Sequence, residues 1–227
     1  MDKITKAVRE MYERFPYPSG KPDWRLSSDV RLVLSYIELT DGVTAPLTAL
    51  DAGCGRALGL LGSASLQPHI QFTGLDINRV AIEEAQREAQ HRKLDNLSFQ
   101  VGDLMSLDEV VAPDDGFDVV YLSGVLHHTA DPERCLRNIR SILAPHGALV
   151  LMVYGKYGRL PLASLIEGIQ LLSLSDESYR ERIPWARQLA KAAQSEVLVG
   201  TFWEDSAEAD DVEFVDRCLN ANETSYD

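Results

Sequence analysis

Hydrophobic and polar positions change their period twice along this chain. From residue 3 to 15, Ile4, Val8, Met11, Tyr12 and Phe15 recur every three or four residues, the spacing of one face of an α-helix. Pro16 and Pro18, in FPYPSGKP, stop that pattern because proline lacks the amide a helix requires. A second helical pattern, DVRLVLSYIEL, follows Ser27, Ser28 and Asp29 as candidate caps and runs out near Asp41 and Gly42. From residue 47 short apolar runs take over: LTALD, IQFTGLD, LSFQVGD, FDVVYLS and GALVLMVY, at about 47–51, 70–76, 97–103, 117–123 and 147–154. Helical stretches separate them. Ala81, Ile82, Ala85 and Ala89 follow Asn78 as a candidate N-cap, and Asp131-Pro132-Glu133 offers a cap, a first-turn proline and an acid at a helix's positive end. Near-continuous apolar strands alternating with helices predict a parallel sheet covered on both faces.

The second change comes after residue 155, where the alternation stops. Two helical segments are expected at about 160–174 and 177–195. EVLVGTFW at 196–203 reads either as one short strand or as the end of the preceding helix. EDSAEADDVEFVD beyond it is so acidic that a solvated loop, or a segment held by a partner, is the expectation.

Composition narrows the class. With 227 residues, 45% hydrophobic and 25% charged, the chain can bury one substantial core with appendages. Its 35 acidic against 22 basic residues give a formal charge of -13, which repels phosphate backbones and anionic lipid, so neither nucleic acid nor membrane is an expected partner. The opening MDKITKAVRE has no continuous apolar run, and LPLASLIEGIQLLSL at 160–174 is short for a membrane span and carries Glu167, so a cytoplasmic location is expected. Cys54, Cys135 and Cys218 are scattered without CxxC spacing, which predicts reduced thiols and no metal site.

Candidate chemistry gathers at the carboxyl ends of the predicted strands, where parallel sheets bind ligands. Asp51 ends the first, Asp76 the second, Asp103 the third and Ser123-Gly124 the fourth. Gly53 and Gly55, in LDAGCGRALGL, allow a sharp turn and close approach of a ligand, although a tight strand-to-helix turn alone would also use them. Asp76 lies about 20 residues further on, where a carboxylate can accept from both ribose hydroxyls. A dinucleotide fingerprint would need a third glycine at position 58, and the chain has Leu58 there, with Gly59 next. A nucleoside without a bridging pyrophosphate therefore fits better than a nicotinamide or flavin cofactor. Asp103 could accept from an exocyclic amine such as that of adenine. Cys54 is not read as a nucleophile, because no histidine partner is placed beside it.

These residues resemble the class I S-adenosylmethionine-dependent methyltransferases. The likeness covers about 45–155 and rests on DAGCGRALG, GLDIN, VGDL and FDVVYLSGVLHHTADPERCLRNIRSILAPHGALVLMVY. It implies a Rossmann-like doubly wound parallel sheet, S-adenosyl-L-methionine as cofactor, and transfer of its methyl group to a small molecule or a protein side chain. It places Asp51, Gly53 and Gly55 by the methionine portion, Asp76 on the ribose, Ile77 and Leu104 beside the adenine and Asp103 on its amino group. Cys54 in the loop, Ser123 and Tyr17 complete the cofactor candidates. YERFPYPSG resembles an N-terminal element that closes over the cofactor, with Tyr12 and Tyr17 as lid aromatics or as mere packing. The expected organisation is a helical lid over 1–44, a cofactor-binding core over 45–155, a helical extension over 156–199 and an acidic segment over 200–227.

His127 and His128 fall on the expected acceptor side, as a general base or as packing and cap-bonding residues. Tyr154, Tyr157 and Arg159 either line the acceptor pocket or only connect strand to helix. The family's sheet has two further strands after the fifth, and no convincing pair is readable here, so a truncated member or a fragment is the expectation. The open edge of the fifth strand would need cover from the helical extension or from a second copy of the chain, a homodimer. Two other readings remain: a cofactor-binding module that does not turn over, and a nicotinamide-dependent oxidoreductase.

Overall fold

The structure is a computed structural model that describes residues 1–21, 29–36, 47–174 and 177–227. The chain opens with α1 (Lys3–Arg14) and α2 (Val30–Ser35). Asp2 caps α1 through Thr5 N, and Asp29 caps α2 through Arg31 N and Leu32 N. Ser27, Ser28 and the predicted continuation of the second helix to Asp41 lie outside the described residues.

Five strands then form one parallel sheet, β1 (Thr48–Ala52), β2 (Gln71–Asp76), β3 (Leu97–Val101), β4 (Phe117–Ser123) and β5 (Leu143–Met152), in the order β3-β2-β1-β4-β5. The crossovers are α3 (Leu58–Leu66), α4 (Arg79–Arg92) and α5 (Pro132–Ile142). Successive side chains on a strand face opposite sides. Ala49, Phe72 and Val119 accordingly join a core with α2, α3 and α4, whereas Leu50, Leu75 and Val120 join one with α5. The sheet is thus doubly wound. Strand order reverses between β1 and β4, and the loops leaving those two strands part to open a crevice.

β5 begins earlier than the apolar run suggests. Its partners step from Leu143 to Ala148 while β4 steps only from Phe117 to Val119, so Pro145, His146 and Gly147 sit in a bulge. Proline is tolerated there because the outer side of β5 needs no ladder amide. Among the described residues β5 pairs with β4 alone, and Leu149, Leu151 and Met152 on it are exposed. No helix of the described residues is long and apolar enough to cross a membrane.

Beyond the sheet, α6 (Lys156–Leu172), α7 (Tyr179–Ala193) and α8 (Asp211–Cys218) surround a third core that also takes in Met11 of α1. EVLVGTFW ends the preceding helix, in a π turn over Gln194–Leu198. The acidic stretch is not a solvated loop. It folds into a 3-10 turn, Glu204–Ala207, and α8, whose Phe214, Val215 and Cys218 are buried. Arg187 ties it down from α7, donating to Ala207 O, Ala209 O and Asp211.

Asn96 anchors the start of β3 to its neighbours. Its buried side-chain amide donates to Ala64 O, Gln67 O and Ile70 O at 3.0–3.1 Å, joining the end of α3 to the approach to β2. Asn96→Ala removes this shared buried donor, Gln67 O keeping only Ile70 N, and is expected to cost about 1–3 kcal/mol of stability in urea unfolding.

Candidate active site

β1 delivers the chain into a left-handed turn. Gly53 and Gly55 have φ of 87° and 52°, and Ala57, just before α3, has 56°. Gly53 N and Cys54 N both donate to Leu75 O, which fixes the loop on the end of β2. A Cβ on Gly55 would run into the carbonyl oxygen of Tyr17, and one on Gly53 would overlap the side chain of Val125 beyond β4. Both glycines therefore answer to crowding as well as to φ. Leu58, at the position a dinucleotide fingerprint gives to glycine, is a buried first residue of α3.

Asp76 closes the loop from the other side. Its Oδ2 accepts from Gly55 N at 2.7 Å and its Oδ1 from Asn78 N at 2.8 Å. Burial raises its pKa, while the amides of Asn78, Gly55 and Ile77 pull the other way. Asp51 has no such help. Burial, and then the charge of Asp76, push it up to about 7. Among the described residues no hydrogen bond reaches its carboxylate, so a cation brought beside it would be strongly favoured.

The N-terminal segment is fastened across the loop. Tyr17 O accepts from Arg56 N, and the Arg56 guanidinium donates to Pro18 O and Gly20 O while pairing with Glu84. Asn78 does more than cap α4, because its side-chain amide also donates to Tyr12 O at 2.7 Å, satisfying a carbonyl in the last turn of α1.

A cavity of about 410 Å³ lies over the carboxyl ends of the strands. Asp51, Gly53, Cys54 and Gly55 line it from β1 and its loop; Asp76 and Ile77 come from β2, Asp103 and Leu104 from β3, and Ser123 from β4. Tyr12 and Tyr17 face it from the N-terminal segment. The Cys54 thiol is buried and shifted well above its ordinary range by burial, then by Asp76 and Asp51, so it is a small wall residue with no thiolate to offer.

The two histidines separate. His128 lines the cavity, and its Nδ1 meets Asn222 O at 2.7 Å. A carbonyl can only accept, so Nδ1 carries the proton and the lone pair sits on Nε2. Burial lowers the pKa of His128, which keeps the ring neutral. His127, paired with it as a base candidate from the sequence, is not on the cavity wall. It is fully buried, stacked on Tyr154 at 3.8 Å between ring centres and set edge-on to His128 at 4.2 Å. Burial, then His128 and Arg159, hold its pKa down at about 3. It is a packing residue.

Tyr154 faces the cavity, but Tyr157 points to solvent and Arg159 lies behind the wall. The Arg159 guanidinium sits 4.1 Å from the centre of Tyr154 and 4.5 Å from that of Trp203, and it pairs with Glu223. The last residues run back over this region as a strap: Thr224 N donates to His127 O, Tyr226 N to Tyr154 O, and Lys156 N to Tyr226 O.

Asp216 of α8 is the wall residue the sequence reading missed. It is 4% exposed, lines the cavity, and accepts from the Tyr12 hydroxyl at 2.7 Å through Oδ1. A signal existed, since Asp216 stands between buried Val215 and Cys218, on the face of α8 that points inward. The dense acid around it concealed that.

Gly55→Ala is expected to push the Phe15–Gly20 segment off the loop. Faster tryptic cleavage at Arg14 and a lowered melting temperature would report it, with Gly158→Ala, which meets no neighbouring atom and has no positive φ, as the comparison.

Comparison with known proteins agrees with this architecture. A family described as methyltransferase domain matches residues 44–197. The protein syc1184_c of a Synechococcus strain is 31% identical over 201 residues, spanning 83% of this chain and 46% of that protein. A ubiquinone biosynthesis O-methyltransferase of Coxiella burnetii is 32% identical over 101 residues, spanning 44% of this chain and 40% of its own length. The chain thus spans less than half the length of these curated relatives. Among solved structures, PKMT2 from Rickettsia typhi shares the fold, with a TM-score of 0.66 and 22% identity over 92% of this chain and 42% of that one. The same protein in complex with AdoHcy gives a TM-score of 0.61 and 21% identity over 92% of this chain and 41% of that one.

Proposed function

The chain belongs to the methyltransferase-domain family, and on that premise we propose that its cavity binds S-adenosylmethionine and presents the methyl group to a small acceptor. The observation that carries this reading is Asp76. Gly55 N and Asn78 N each donate to one of its oxygens, and the carboxylate lines the cavity, where two vicinal ribose hydroxyls could donate to it. Asp51, unpaired and raised to about 7, suits the ammonium of the methionine portion. The glycine turn leaves room for that portion to lie against backbone. Ile77, Leu104 and Asp103 form the adenine end, with Cys54, Ser123 and Tyr17 completing the wall.

S-adenosylmethionine supplies a methyl on a cationic sulfur, and the C–S bonding pair returns to sulfur on transfer. The protein's part is then to orient, to exclude water and to place a base. In this reading residues 45–155 hold the cofactor and the helix within 1–44 is the lid. The extension over 156–199 and the segment over 200–227 build the acceptor wall. His128 Nε2 is the neutral base there.

A calorimetric titration with S-adenosylmethionine tests the reading. Binding by the wild-type protein, weakened by about 1–3 kcal/mol in an Asp76→Ala variant that stays folded by circular dichroism but melts lower because Gly55 N and Asn78 N lose their acceptor, is the expected result. No binding by folded wild-type protein would overturn it. The pH arm has a definite sign. Because the Asp51 carboxyl holds its proton up to about pH 7, affinity for a cationic ligand should rise as the pH climbs through that value, and Asp51→Asn should flatten the rise.

A further inference from the structure

The cavity carries four carboxylates, Asp51, Asp76, Asp103 and Asp216, and among the described residues no lysine or arginine lines it. The first three stand at the strand ends, where the cofactor reading uses them. Asp216 does not. It comes from α8, on the side occupied by α1 and the terminal strap.

Its surroundings are specific. Tyr12 donates to Oδ1, and Asn220 Nδ2 supports the same Tyr12 hydroxyl at 3.1 Å. Among the described residues no hydrogen bond reaches Oδ2. Burial raises the pKa of Asp216 above the ordinary carboxylate range. Arg159 and Arg217, the cations that act on it, do not line the cavity and are already paired, the first with Glu223 and the second with Asp205 and Glu213. Aromatic rings close around it. Tyr12 lies 6.5 Å from Tyr17 and 6.2 Å from His128, and His128 lies 6.0 Å from Tyr154, all four on the cavity wall.

A buried carboxylate with one free oxygen, ringed by tyrosines, is complementary to a cationic nitrogen. The carboxylate neutralises it and the ring faces attract it. An anionic acceptor would meet four carboxyl groups and, among the described residues, no lysine or arginine, and a neutral alcohol would leave Asp216 without a counter-ion. We propose that Asp216, Tyr12, Tyr17 and Tyr154 form an acceptor subsite for an aliphatic amine, taken up as its ammonium ion. This rests on the methyltransferase reading for the identity of the neighbouring ligand, but the subsite's charge preference does not. Before transfer the ammonium gives one N–H proton to His128 Nε2, which frees the nitrogen lone pair. The N–C bond then forms as the C–S bond breaks, its electron pair going to sulfur, and the product leaves as a methylammonium.

An isosteric series decides the matter: phenethylammonium, 2-phenylethanol and 3-phenylpropanoate, titrated calorimetrically into the wild-type protein with and without S-adenosylhomocysteine. The cation is expected to bind about tenfold or more tightly than the alcohol, and the carboxylate not to bind. Asp216→Asn should abolish that preference while keeping affinity for S-adenosylhomocysteine. Tyr12→Phe, which keeps the ring and the carboxylate, should preserve it. Equal binding of alcohol and cation, binding of the carboxylate, or an unchanged preference in a folded Asp216→Asn protein would overturn the proposal. If that variant does not fold, the wild-type series with S-adenosylhomocysteine bound, which occupies the three strand-end aspartates, decides the preference: the cation favoured supports the proposal, and no preference overturns it. Failure of S-adenosylhomocysteine to bind would instead sink the cofactor reading, and the difference between wild type and Asp216→Asn in the series without it would then read the subsite.

Discussion

The carboxylate of Asp76 is the joint on which the site is assembled. It ends β2 and takes the amide of Gly55 from the loop after β1 and the amide of Asn78 from the start of α4. Asn78 in turn holds Tyr12 O, so α1 is fastened to the same joint. A buried carboxylate needs several donors to stay in place. Here the donors come from separate elements, and satisfying one acid brings a glycine turn, a crossover helix and the N-terminal helix to one cavity.

A second joint works on the far wall. Arg159 begins as a buried cation between Tyr154 and Trp203, and Glu223 neutralises it from the terminal strap. An unpaired guanidinium in that position would be costly, so the strap is held against the end of β5. The same strap carries Asn222, whose carbonyl sets the tautomer of His128, and it follows directly on α8, which carries Asp216. The acid-rich end of the chain is therefore part of the site and not an appendage.

The charge of the cavity and that of the chain have the same sign. Burial raises Asp51, Asp76 and Asp216, and the charge of Asp76 adds to the rise at Asp51. Such an arrangement costs stability without a ligand and favours a positively charged one, which the cofactor and an amine acceptor would both be. The fully buried His127 belongs to the other category. Burial, then His128 and Arg159, hold it neutral, and it lies off the cavity wall, stacked on Tyr154.

Local pattern was sufficient for the sheet and for the residues that gather at its strand ends. The five apolar runs, the two glycines with Asp51, and Asp76 at the next strand end depend on neighbours in sequence and on the rule that parallel strands converge at their carboxyl ends. Every cofactor candidate named from them lines the cavity. The wall opposite them, contributed by α1, α8 and the turn after β4, was not legible in that way. Tyr12, His128 and Asp216 meet across 88 to 204 residues of chain; the dense acid around Asp216 conceals its place beside Val215 and Cys218, and nothing local distinguishes His128 from His127. Only the packing of α8 on α1 and the return of the strap decide which acid is buried and which histidine faces the cavity, because burial and partner geometry belong to the tertiary structure and not to composition or periodicity.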